Sequence, residues 1–104
     1  VKLEERKMKR DSALDLLSAK KDEIRSRFAV SRLALFGSVA RDEAVESSDI
    51  DFIVTFDGPA TFDRFMDLKF YLENLLSVRV DLVTQNALRT PLLKIVEEEA
   101  IHVA

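Results

Sequence analysis

The sequence predicts an α+β fold, an α/β sandwich with helices around a short sheet in the order α-β-α-β-α-β-α, and three observations carry that expectation. Residues 49–56 alternate strictly: Ile50, Phe52, Val54 and Phe56 point one way, and Asp49, Asp51, Ile53 and Thr55 the other, which is the period of a strand. Residues 61–76 place Phe62, Phe65, Met66, Leu72 and Leu76 on one broad helical face. Short apolar runs at Arg32 to Phe36 and Val78 to Val83 suit buried strands between such helices.

The elements follow in order. The first ten residues hold Lys2, Arg6, Lys7, Lys9 and Arg10 against Glu4 and Glu5, and residues 1–11 read as a charged leader before a single domain over 12–104. Ser12, with Asp15 three residues on, forms a weak capping box. Leu14, Leu17, Ile24 and Phe28 then fall near one face of a helix over 12–28. That seam suits the core better than a partner. The strand over 32–36 stops at Gly37, and a short helix starts near Ser38, since residues 39–44 hold no breaker.

Ser47-Ser48 mark a turn into the alternating strand, and Asp57-Gly58-Pro59 end it. Thr61 caps the long helix. Lys69 lies within its apolar face, where a stem packed on the helix and an amine near Glu73 explain it better than a phosphate contact. Thr90-Pro91 read as cap and first residue of a last helix through about Ala100, and Ile101 to Val103 as a short terminal strand.

Composition narrows the function classes. With 104 residues, 47% hydrophobic and 34% charged, the chain has room for one core but none for a separate substrate domain. A net charge of -3 and a pI near 5.2 do not match a protein that grips long nucleic acid unaided. There is no cysteine, so disulfides and thiolate metal sites are excluded. No apolar run is long enough to span a membrane, and a cytoplasmic setting is expected.

The chemistry concentrates in Gly37-Ser38, then Asp49-Ile50-Asp51 after ten intervening residues, then Asp81 within Val80-Asp81-Leu82-Val83. Each piece alone is common, and an isolated Asp-x-Asp is most often a turn or cap. Carboxylates beside apolar strand residues are costly unless a cation compensates them. Phosphoryl or nucleotidyl transfer asks a protein mainly for positioning and charge neutralisation. Two magnesium ions, or manganese instead, supply both on hard oxygen ligands. Asp49, Asp51 and Asp81 would hold them. Gly37 admits a phosphate close to the backbone, Ser38 adds a hydroxyl and an N–H, and Arg41 adds a guanidinium one turn later.

Three segments, Leu35-Phe36-Gly37-Ser38-Val39-Ala40-Arg41, Ser48-Asp49-Ile50-Asp51-Phe52-Ile53-Val54 and Val80-Asp81-Leu82-Val83, resemble those of minimal nucleotidyltransferases of the DNA polymerase beta superfamily. The resemblance runs from about Ser12 to the end and implies the nucleotidyltransferase fold, a small mixed sheet flanked by helices. Members of this size resemble the antitoxins of MNT/HEPN toxin–antitoxin pairs, of type VII-like action. That implies a protein adenylyltransferase that moves AMP from ATP to a tyrosine of a HEPN ribonuclease toxin, with metals on Asp49 and Asp51. It also implies Asp81 as third carboxylate and helper of the acceptor hydroxyl, and Gly37 and Ser38 on the triphosphate. One departure is that Asp42-Glu43 follow Arg41 where glycine is common in such motifs.

Two other readings stand beside it: an antitoxin that acts by tight binding alone, and a nucleotidyltransferase acting on a small molecule or RNA. The remaining singular residues read as structural. Tyr71 suits packing better than self-modification, His102 a solvent-facing end, and Met8 and Met66 ordinary packing.

Overall fold

The computed structural model describes residues 8–45 and 49–104. Helices α1 (Arg10–Ala19) and α2 (Lys21–Phe28) lead into strand β1 (Val30–Phe36), a single helical turn α3 (Gly37–Ala40) and strand β2 (Ile50–Phe56). Helix α4 (Phe62–Leu76), strand β3 (Val80–Thr84), a 3-10 turn (Gln85–Ala87), helix α5 (Thr90–Glu99) and strand β4 (Ile101–His102) complete the chain. The four strands lie in the order β3-β2-β1-β4. β1 runs antiparallel to both β2 and β4, whereas β2 and β3 are parallel. A parallel pair needs a crossover, and α4 supplies it.

The alternation along β2 sorts residues between two unequal faces. Ile50, Phe52, Val54 and Phe56 join Leu33, Leu35, Val80 and Leu82 under α1, α2 and α4, in a core that also takes in Ala13, Leu17, Ile24, Leu68 and Leu72. On the other face Ile53 and Ala34 meet Val96 of α5, with Phe36, Val83 and Leu93 at the margin. The expected α+β class and sandwich layering hold.

Several expected boundaries move. The helix expected over 12–28 begins at Arg10, and Lys20 (φ -114, ψ 11) breaks it. The Lys20 N–H turns back to the Leu17 carbonyl at 3.1 Å, and the Lys20 carbonyl accepts the Ile24 N–H at 2.9 Å. A new helix therefore starts with its own first turn, and each piece buries its own pair, Ala13 with Leu17 and Ile24 with Phe28. Ser12 lies within α1 and caps nothing, because the helix starts earlier, behind Lys9. Of the stretch read as a leader, residues 1–7 lie outside the described residues, as does the Ser47-Ser48 turn.

Thr61 caps α4 as expected, its hydroxyl accepting the Arg64 N–H at 3.2 Å. The buried line of that helix runs through Leu68, Leu72 and Leu76 at four-residue spacing. Phe62, at the first position and ahead of that line, is 75% exposed rather than part of the apolar face. Lys69 reaches Glu73 at 3.6 Å, the ion pair expected one turn on. In α5 the cap falls on Arg89 rather than Thr90: the extended Arg89 offers its carbonyl to the Leu93 N–H at 2.8 Å. Tyr71 packs against Phe28 with ring centroids 5.0 Å apart, and its hydroxyl donates to Glu23. Desolvation and that bond push its pKa up to about 12.

Candidate functional site

The candidate residues meet where β1 ends and β2 begins. Asp51 stands level with Asp81 on the parallel neighbour β3 and level with Phe36 on β1. Asp51 shares its face with Ile53, opposite to buried Ile50 and Phe52, so both carboxylates project on the α5 side of the sheet. Asp49 comes just before β2 and is exposed. Its carboxylate lies 3.2 Å from Arg79, the residue directly before β3.

Gly37 follows β1 directly with φ 76, a left-handed conformation that strains any residue with a side chain. Space is equally restrictive. A Cβ there would stand 2.2 Å from Oδ2 of Asp51. The turn after it closes through the Arg41 N–H on the Gly37 carbonyl at 3.1 Å and the Glu43 N–H on the Ser38 carbonyl at 2.8 Å. Asp42, where glycine is common in such motifs, has φ 59. The turn thus keeps the left-handed conformation, which aspartate tolerates better than most residues.

Crowding of like charge marks Asp51. Desolvation first, then the charges of Asp81 and Asp49, raise its pKa to about 6, and Arg41 opposes the rise. A carboxylate partly deprived of water beside two others lacks a positive counterpart of matching strength. The donors are all hard oxygens, which suits magnesium or manganese. Among the described residues no three such side chains converge tightly enough to enclose an ion by themselves. Magnesium keeps several waters and takes ligands from substrate phosphates, so it needs few protein carboxylates.

Sequence reading missed two neighbours of the site. Arg79 holds Asp49. Glu99, the last residue of α5, accepts the Gly37 N–H at 2.9 Å and binds the Arg41 guanidinium at 2.9 and 3.2 Å, while Glu43 takes the Arg41 Nε at 2.7 Å. A signal for Glu99 did exist. Glu97-Glu98-Glu99 sit at the C-terminal end of a helix, where the dipole disfavours negative charge, and such a run needs cations from elsewhere. Arg32 meets Glu97 at 2.8 Å and Arg41 meets Glu99.

Comparison with known proteins identifies the family and the fold. The protein adenylyltransferase MntA of Thermococcus cleftensis is 42% identical over 88 residues, covering 85% of this chain and 89% of its own. A solved structure described as a candidate minimal nucleotidyltransferase superposes with a TM-score of 0.72 at 41% identity, over 85% of this chain and 93% of that one. At 22% identity the fold alone is shared with one chain of a solved complex of tri-AMPylated Shewanella oneidensis HEPN toxin with MNT antitoxin, at a TM-score of 0.63 over 88% of this chain and 71% of that one. The nucleotidyltransferase domain model matches residues 17–103, and the chain belongs to that family.

Proposed function

We propose that this chain is a magnesium-dependent protein adenylyltransferase that transfers AMP from ATP to a tyrosine of a HEPN-type ribonuclease toxin and so acts as its antitoxin. The observation that carries the reading is the register of Asp51 beside Asp81, with Gly37 directly over Asp51. The names of the relatives support it: an MntA protein adenylyltransferase at 42% identity, and a fold shared with an MNT antitoxin bound to an AMPylated HEPN toxin.

In this reading Asp49, Asp51 and Asp81 hold the divalent ions, which when bound lower the charge on the triphosphate and the leaving diphosphate. Gly37 and Ser38 frame the phosphates, and Arg41 adds positive potential at the same turn. The tyrosine oxygen attacks the α-phosphorus, the bond to the bridging oxygen breaks, and diphosphate leaves. Asp81, on β3, accepts the phenolic proton. In this reading the acceptor protein brings its tyrosine to the carboxylates at the end of β1 and the start of β2.

The test is mass spectrometry of the HEPN partner after incubation with this chain, ATP and magnesium. One or more increments of AMP on a tyrosine are expected. The Asp49→Asn/Asp51→Asn double variant should lower transfer by roughly a thousandfold, the scale of losing metal charge stabilisation. Full protection from toxin by that double variant would replace transfer with neutralisation by docking.

A further inference from the structure

We propose that Glu99 is a positioning residue of the nucleotidyl-transfer site, its carboxylate fixing the Gly37 turn over Asp51 and so building the last helix into the geometry of the site. The proposal rests on the function proposed above.

The β1–β4 ladder pairs Ala34 with His102 and Leu35 with Ile101. Two residues further in the same register stand Gly37 and Glu99. At Glu99 the backbone is already helical, so it cannot continue the ladder. Its side chain does so instead, with Oε1 accepting the Gly37 N–H at 2.9 Å. The same carboxylate holds Arg41 at 2.9 Å through Oε2, so one group grips both ends of the turn that starts at Gly37 and ends at Arg41.

Backbone bonds from Arg41 and Glu43 close that turn and buried Val39 and Ala40 seat it, but it is the Glu99 carboxylate that accepts the N–H of Gly37 itself. Gly37 has a positive φ, which the backbone does not favour over alternatives without contacts that select it. Its Cα lies against Asp51 so closely that no Cβ fits. A shift of Gly37 would therefore move the wall beside Asp51 and the Ser38 groups that follow it. Hydrogen bonds to a charged acceptor are the strong ones, and groups that orient a site from outside it commonly matter about tenfold or more. Arg41, shared between Glu43 and Glu99, acts on the turn through this pair.

Three variants and two readouts test the proposal. In Glu99→Ala the Gly37 amide should move upfield in its NMR spectrum and exchange with solvent about tenfold faster, and KM for ATP in AMP transfer should rise about tenfold with kcat less affected. Glu99→Gln keeps an oxygen acceptor for Gly37 and should return KM to within about threefold of the parent. Glu99→Asp, shorter by one methylene, should resemble Glu99→Ala, and it carries the same test should the alanine variant not fold.

An unchanged KM in Glu99→Ala would overturn the proposal. So would tighter ATP binding in that variant, since the carboxylate would then be competing with phosphate for the same seat. A glutamine variant as impaired as the alanine would overturn it as well. If the parent protein transfers no AMP to the HEPN partner, the proposed function fails, whereas the Gly37 amide still reports whether Glu99 fixes the turn.

Discussion

The two faces of the sheet are built on different terms. The face under α1, α2 and α4 is a continuous layer in which Leu17, Ile24, Leu33, Leu35, Ile50, Phe52, Leu68 and Leu72 lose all contact with solvent. Among the described residues the face toward α5 buries Ala34, Ile53 and Val96 and leaves Asp51 and Asp81 side by side at its margin. Burial holds the fold on one side. The other side gives up burial and accepts like-charge repulsion between carboxylates, the division expected where, as proposed, a rigid scaffold carries a strained site.

Leu72→Ala on the helix-covered face should produce the largest change in stability. Removing a fully buried leucine leaves a cavity and should cost about 2–5 kcal/mol in urea unfolding, while AMP transfer per folded molecule stays unchanged. Equal losses of stability and specific activity would break the division between the faces.

Gly37→Ala should follow, at roughly 1–3 kcal/mol, since the new Cβ meets both a left-handed backbone and the Asp51 carboxylate. Here transfer should fall by more than the loss of folded protein explains, because Asp51 must rotate away. A variant with full activity would show that Gly37 has room to spare.

The smallest change is a gain. Burial and its neighbours raise the pKa of Asp51 to about 6, so the folded protein holds that proton more tightly than the unfolded chain. The stability linked to it is fully present below the ordinary carboxylate pKa and is lost as pH rises through about 6. In metal-free protein Asp51→Asn should therefore be more stable than the parent at pH 7.5 by about 1 kcal/mol, discounted for the solvent that reaches this group. At pH 4 the gain should vanish. Excess magnesium should reverse it, and no gain at pH 7.5 would mean that Asp51 is not under charge stress.

What could be read from sequence was whatever local period expresses. The strict alternation of residues 50–56 marked both faces, and an aspartate inside Val80-Asp81-Leu82-Val83 marked a third strand bringing a carboxylate to the site. The break at Lys20 left no trace, because Ala13, Leu17, Ile24 and Phe28 fall within about 60° on one unbroken helical wheel at about 100° per residue. Sequence pattern therefore satisfied a single helix, and only the Lys20 backbone distinguishes two. Glu99 was hidden for another reason. The acidic run at the end of its helix signals a need for cations, but its partners Gly37 and Arg41 are some sixty residues away, and no local pattern names them.

The alternation along β2 also settles which pairing is possible at all. Slipping β2 by one residue against its neighbours would turn Asp51 under the helices and push Ile50 and Phe52 into water, exchanging apolar burial for an unpaired buried charge. A slip by two would part Asp51 from Asp81 and leave Gly37 facing a side chain other than the one it accommodates. The carboxylates read as chemistry thus also act as alignment marks. Polar residues at 51 and 81 serve strand register as well as the proposed reaction.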